Sequence, residues 1–301
     1  MKAIVVHQYG GPEVLKFEEY PDPIPGLGDV LVKVAAASVN PIDCKRRAGL
    51  TKDFYPMSFP SLIGIDMSGT VVEVGPGVEI FTAGDQVFAM TDNTYAELCV
   101  VKADVLADIP EGLDTIQAAA LPLVTVTGNQ LLSATEIKAG QTVLVVGAAG
   151  NVGRSAVFTA KDRGATVIAG VSQRQMDDAK SVGADQLIAT DDDNAIANLP
   201  QVDVVADTVD GKTAEKLIAK VKPGGVFASV LGAPQNAAKY PSVKVVPVYA
   251  QPDAKTLQFM AEAVRDGKLV IPISRKLPLR KAAEAQAAAE EGGIGKVLLV
   301  A

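Results

Sequence analysis

The sequence predicts an α/β protein, a doubly wound parallel sheet joined to an all-β domain of barrel-like character. Two observations carry that prediction. Residues 142–172 read as strand, glycine turn, helix and strand, and beyond them strands and helices alternate. Before them the chain reads as many short strands separated by glycine and proline turns.

Lys2–Val6 and Leu15–Glu19 flank Gly10-Gly11-Pro12 and predict an antiparallel pair. Pro21, Pro23 and Pro25 stiffen the next connection, and Gly26 to Gly28 turn it into an alternating strand at 29–36. A short helix is expected at 44–47, then strands at 70–74, 86–90 and 95–101. A helical stretch at 115–120 is interrupted at Leu121-Pro122 and resumes at 125–133. Thr142–Val146 is an apolar run long enough for a buried strand and too short for a helix. Residues 151–163 put Val152, Ala156 and Ala160 on one helical face, and 166–169 form the next buried strand. Later strands are expected at 186–189, 202–206, 226–230 and 243–248, with helices at 211–221 and 254–266. The end of the chain leaves this alternation: an alanine-rich helix at 280–291 and a strand at 295–300 return to the first domain.

Gly147, Gly150 and Gly153 fall at three-residue spacing between the strand and the helix. The first N–H groups of a helix lack internal partners and carry the positive end of its dipole. A diphosphate placed there is held by backbone donors, of which Asn151, Val152 and Gly153 are the first. Strand, glycine turn and helix in one βαβ unit point to a dinucleotide. The end of the second strand chooses which. A cofactor without a 2′-phosphate is met by an acid about 20 residues after the turn. No acid occurs from Arg163 to Arg174, and Ser172 and Arg174 stand at the strand end instead. A hydroxyl and a guanidinium suit a phosphate dianion, which favours NADPH over the reading of Arg174 as a solvated loop residue.

With 301 residues, 48% of them apolar and 21% charged, the chain can build two domains with real cores. A net charge of −7 argues against nucleic acid or an anionic membrane as partner. Two cysteines and one histidine make neither a disulfide framework nor a structural zinc lobe, and disfavour a catalytic zinc. Met1 leads directly into a strand-like run with no signal peptide, and no apolar stretch has the length of a membrane span. The expectation is a cytoplasmic protein.

The segments PIPGLGDVLVKVAAASVNPID, GIDMSGTVVEVGPGV, LPLVTVTGNQLL, VLVVGAAGNVG and GKVLLV, in this order, resemble the medium-chain dehydrogenase/reductase superfamily. The resemblance is to its zinc-free, quinone oxidoreductase-like branch. It implies a GroES-like catalytic domain at 1–121 and 267–301 and a Rossmann NADPH-binding domain at 122–266, with a cleft between them. Zinc-dependent relatives have a cysteine where Asn40 stands and a histidine where Ile65 stands, and Leu123 replaces the third ligand, so the resemblance implies no catalytic metal.

The same resemblance places Asn40 at the nicotinamide side, although Asn40 also suits a turn before Pro41. Lys45 stands where many quinone oxidoreductases have tyrosine, and the run Lys45-Arg46-Arg47 is similar to enone and alkenal reductases of the branch. Lys45 could hold cofactor or donate to a substrate carbonyl; Arg46 and Arg47 read equally well as a solvated helix face. Thr127 corresponds to a residue near the nicotinamide ribose, Gly232 to a loop over the nicotinamide, and Lys296 to a late residue near the cofactor. Asn129 and Thr190 depart from the tyrosines of relatives. The strand at 243–248 resembles an edge through which relatives form homodimers.

The implied activity is hydride transfer from NADPH to a quinone, or to the β-carbon of an α,β-unsaturated ketone or aldehyde. Asn40 and Lys45 are the candidate donors to the carbonyl oxygen. A non-catalytic NADPH-binding redox sensor or interaction protein is the alternative from another class.

Overall fold

The apolar runs become strands and the glycine and proline clusters become the turns between them. A computed structural model describes residues 1–209, 211–293 and 295–301. Its first half contains β1 (Lys2–Val6), β2 (Leu15–Glu19), β3 (Asp29–Val39), α1 (Pro41–Arg47), β4 (Ser61–Leu62), β5 (Asp66–Val74), β6 (Gln86–Met90), β7 (Leu98–Lys102), β8 (Leu106–Asp108), α2 (Thr115–Ala118) and α3 (Pro122–Ser133). Then follow β9 (Thr142–Val146), α4 (Asn151–Asp162), β10 (Thr166–Val171), α5 (Met176–Ala179), β11 (Gln186–Ala189), α6 (Asp193–Asn198), β12 (Val202–Asp207), α7 (Gly211–Leu217), β13 (Val221–Ser229) and β14 (Lys244–Pro247). The chain ends with α8 (Ala254–Arg265), β15 (Ile273–Pro278), α9 (Ala282–Glu290) and β16 (Lys296–Val300).

Two compact units form. One comprises Met1–Leu123, Pro252–Asp266 and Ile271–Ala301; the other comprises Val124–Gln251 and Gly267–Val270. Helix α8, assigned to the nucleotide domain by the sequence, therefore groups with the β-rich unit, where it packs on β8.

In the second unit the strands run β11-β10-β9-β12-β13-β14, all parallel. That is the 3-2-1-4-5-6 order of a Rossmann sheet, whose switch point lies between β9 and β12. Strands covered on both faces read as unbroken apolar runs, and Val143 to Val146 are 0% exposed. Leu144, Val146, Val205, Leu217 and Phe227 share one core, each contributing about 1.5–3 kcal/mol by burial.

The first unit holds a three-stranded sheet, β2-β1-β4, and a seven-stranded GroES-like sheet, β15-β16-β3-β5-β6-β8, with β7 also on β3. Strand β3 has two partners along one side because it is long: Asp29 to Lys33 pair with β7, and Ala36 to Val39 pair with β16. The sequence reading ended this strand at Ala36 and began β5 at Thr70. Both strands run further because Ser38, Asp66 and Ser68, polar enough to read as loop, are buried in the sheet. Strand β15 has no apolar period in the sequence, because Ser274, Arg275 and Lys276 are exposed.

Candidate functional site

In the second unit the turn after β9 is built around two glycines. Gly147 takes φ +77°, a left-handed backbone that favours glycine, and a Cβ there would also collide with the Thr208 hydroxyl. Gly153 seats the first turn of α4 on the strand end: a Cβ would strike the Gly147 carbonyl oxygen and lie 2.7 Å from Ala148 Cα. Gly147 N–H donates to Gly170 O at 2.8 Å, and Gly150 N–H closes back on Gly147 O at 2.9 Å. Gly150 is the N-cap and offers no side chain to the helix. The N–H groups of Asn151, Val152 and Gly153 open α4, and Arg154 N–H makes the bond to Gly150 O at 2.8 Å. Asn151 Oδ1 is buried without a hydrogen-bond partner. Unfilled donors at the positive end of a twelve-residue helix are the chemistry that holds a diphosphate.

At the end of β10 the Ser172 hydroxyl donates to Gln175 Oε1 at 2.8 Å. Arg174 is exposed and has no hydrogen bond or ion pair among the described residues. Gln173 N–H donates to Asp191 Oδ1 at 2.8 Å, so an acid does stand beside Ser172 and Arg174. Reading from Arg163 to Arg174 could not find it, because the end of β11 delivers it. Thr190 is buried, its hydroxyl donating to Val171 O at 3.2 Å. Thr127 lies buried in α3, and Gly232 lies in the loop after β13 at φ +105° with open space where a Cβ would be. Beside the turn, Thr208 donates to Val146 O at 2.7 Å and Ser229 to Asp207 Oδ2 at 2.9 Å, contacts no motif announced.

The first unit holds a different kind of site. Asn40 follows β3 and is the N-cap of α1, where Asp43 Oδ2 reaches back to accept its N–H at 2.9 Å. The side chain is 0% exposed. Its Nδ2 donates to Asp66 Oδ2 at 2.8 Å and to Ser38 O at 3.5 Å, and its Oδ1 accepts from Lys296 Nζ at 2.6 Å. Asn40, expected as a donor to a substrate carbonyl, finds acceptors for its amide inside the fold, the second of them at the outer limit of hydrogen-bond distance. Asp66 Oδ2 also accepts from Ser38 Oγ at 2.6 Å, and its Oδ1 from Leu123 N–H at 2.8 Å.

Lys296 is 3% exposed, with Val39 O at 3.3 Å and Asp66 Oδ2 at 3.5 Å from its ammonium. Burial pushes its pKa down, against the pull of Asp66 and Asp43. Burial pushes the Asp43 carboxyl up to about 7, helped by the Asp66 charge and opposed by the Asn40 N–H and the Tyr95 hydroxyl, 3.0 Å away. Lys296, expected beside the cofactor, sits within the unit's own ion cluster.

On α1 the solvated-face reading fails for Arg46 and Arg47. Arg47 is buried and bonds Gly10 O, Gln286 Oε1 and Glu290 Oε1 at 3.2, 2.7 and 2.6 Å. Arg46 pairs with Asp92 at 2.7 Å and lies 3.9 Å over the Tyr55 ring. Lys45 is the exposed one, and its side chain makes no hydrogen bond or ion pair among the described residues. Ile65 and Leu123 offer no side-chain ligand, Asn40 and Asp66 are committed, and the Lys296 ammonium already sits among their oxygens. Among the described residues no group of three or more His, Cys, Asp or Glu could hold a metal. Nor is any described helix long and apolar enough to cross a membrane.

Two family models match, the alcohol dehydrogenase GroES-like domain over residues 26–111 and the zinc-binding dehydrogenase over 182–299. The chain is 31% identical to the chloroplast envelope quinone oxidoreductase homolog of Arabidopsis thaliana, over 99% of this chain and 98% of the relative. It is 36% identical to the chloroplastic NADPH-dependent alkenal/one oxidoreductase of the same plant, over 77% of this chain and 63% of the relative. The crystal structure of Escherichia coli quinone oxidoreductase complexed with NADPH is similar at TM-score 0.89 and 28% identity, covering 100% of both chains. Full-length identity to such a relative, on a GroES-like sheet and a Rossmann sheet with its glycine turn, identifies the chain as a member of the medium-chain dehydrogenase/reductase superfamily, in its quinone oxidoreductase-like branch.

Proposed function

We propose that this chain is an NADPH-dependent oxidoreductase that delivers hydride to a quinone or to the β-carbon of an α,β-unsaturated ketone or aldehyde, without a metal. The observation that carries this reading is the opening of α4: donors left free on a rigid glycine turn, in a chain whose relatives are named for these reactions. Bound NADPH supplies the hydride. The backbone of Asn151, Val152 and Gly153 holds its diphosphate, and the free guanidinium of Arg174, with Ser172 beside it, meets the 2′-phosphate. Thr127 and Gly232 belong to the nicotinamide end in this reading.

Charge develops on the carbonyl oxygen as hydride adds, so a donor there lowers the barrier. Lys45, exposed on α1, is the donor we assign, while Asn40 and Lys296 fix the start of that helix from within. The spent acids and the buried lysine leave metal-free catalysis as the reading the donor set supports. A homodimer through β14, whose outer edge is free among the described strands, and a cytoplasmic location belong to the same proposal.

Following NADPH absorbance with panels of quinones and of enones tests it. Oxidation by at least one panel, unchanged by chelator, is expected. Activity on quinones alone would remove the lean to alkenes that the Lys45-Arg46-Arg47 run suggests. Tight NADPH binding with no turnover on either panel would replace the enzyme by the sensor.

A further inference from the structure

Arg154 is the fourth residue of α4. Side chains in a helix lean toward its N-terminus, so a long one in this position lies back over the first turn. Arg154 does so: its Nε donates to Ala149 O at 3.0 Å, which fixes the guanidinium against the glycine turn. The residue is only 7% exposed. That one bond uses one of five N–H donors. The terminal nitrogens have no hydrogen bond and no ion pair among the described residues. Asp178, on α5, is the carboxylate whose field reaches the guanidinium, and it forms no ion pair with it.

This is an odd place for a cation. The N-terminus of a helix is its positive end, where anions are stabilised and cations are not. A guanidinium does not shed its proton to escape the cost of burial. Arg46 and Arg47, similarly buried in the first unit, each have a carboxylate partner. Arg154 lacks one. Its terminal N–H groups and the free N–H groups that open the same helix are all donors, and together they call for an acceptor that the protein does not itself provide.

We propose that Arg154 holds the diphosphate of the dinucleotide, adding a full positive charge to the backbone cradle of α4. This rests on the cofactor reading above and deepens it: the cradle is not made of main-chain amides alone. The phosphate concerned is the diphosphate and not the 2′-phosphate, because Nε is pinned to Ala149 within the turn, whereas Arg174 stands at the end of β10.

Calorimetry with NADPH and NADH on the intact chain, its Arg154→Met and Arg154→Lys variants, and Arg174→Ala tests the assignment. Arg154→Met keeps most of the buried stem and removes the charge. It should weaken both nucleotides by a similar factor, about 10- to 100-fold, with Arg154→Lys recovering part of the loss. Arg174→Ala should weaken NADPH alone. The ligand-free thermal midpoint of Arg154→Met should not fall, since a cation leaves the positive end of a helix. Unchanged affinities with a lowered midpoint would reduce Arg154 to a pin for Ala149 and overturn the proposal. A loss confined to NADPH would overturn it too, moving Arg154 to the 2′-phosphate. If the unmodified chain binds neither nucleotide, the cofactor reading itself is wrong and this proposal falls with it; the variant comparisons sink this proposal alone.

Discussion

The two polar sites of this chain are built on opposite terms. Around Asp66, in the β-rich unit, the groups satisfy one another: Ser38, Asn40, Leu123 and Lys296 all direct donors to its carboxylate. At the opening of α4, in the Rossmann unit, donors outnumber partners, and Arg154 and Arg174 stand without carboxylates. A densely bonded buried network, here with Asp43 Oδ1 left unpartnered at its margin, stiffens a fold and fixes one arrangement of it. A rigid set of unfilled donors is what a ligand completes. In the reading proposed above, the first site shapes and positions α1, and the second binds. Each substitution below should act on one side of that division.

The largest effect is expected at Gly153. A Cβ there meets main-chain atoms, the Gly147 oxygen and Ala148 Cα, and neither can swing away like the end of a side chain. Gly153→Val must push α4 off the end of β9 and break the cradle. Nucleotide binding by calorimetry should be lost, and the thermal midpoint should fall, because α4 also packs on β9 and β10. Binding at ordinary affinity by this variant would show that the turn is not where the diphosphate rests.

Next comes Lys296→Met, which removes the one cation of the Asp66 cluster. The carboxylate stays buried with no counter-charge, at a cost of about 3–5 kcal/mol of stability. Denaturant unfolding should show that loss. If the comparison is right, nucleotide affinity of the protein that remains folded should hardly change. An affinity loss as large as the stability loss would restore Lys296 to the cofactor, where the family resemblance had it.

The Rossmann half was readable because its signals are local. An unbroken apolar run, three glycines and a 3.6-residue period all lie within residues 142–172, and they became β9, α4 and β10 almost residue for residue. The Asp66 cluster was hardly readable, because it is assembled from residues as distant as Ser38 and Lys296 and needs the pairing of β3 with both β5 and β16 to exist. Asn40 illustrates the consequence. Motif resemblance marked it as important, but only the packed structure shows its amide reaching Asp66 and Ser38. Asp191 illustrates the converse: the acid beside Ser172 was sought along one strand and arrives from the next. Arg154 carried no signal at all, since an arginine early in a helix is ordinary until its burial and its missing partner are seen.

The smallest effect, and the sharpest probe of the closed site, is the titration of Asp43. Its carboxyl titrates near 7 in the folded chain, against about 3.9 for an unfolded Asp. Between those values the folded state holds a proton that the unfolded state has lost. The contribution of this group to stability is therefore greatest below about pH 4, declines as pH rises, and is gone above about 7, with a slope of up to about 1.4 kcal/mol per pH unit. Asp43→Asn should remove that slope while leaving the packing intact. The new side-chain oxygen can still accept from Asn40 N–H and the Tyr95 hydroxyl, and the new amide takes the position of Oδ1, which now has no partner. Unfolding measured from pH 5 to pH 8 should then show the variant gaining on the parent chain as pH rises. A parent chain whose stability climbs over that interval, with the variant climbing alongside it, would mean that Asp43 is ionised throughout and that the cluster carries more negative charge than Lys296 alone can balance.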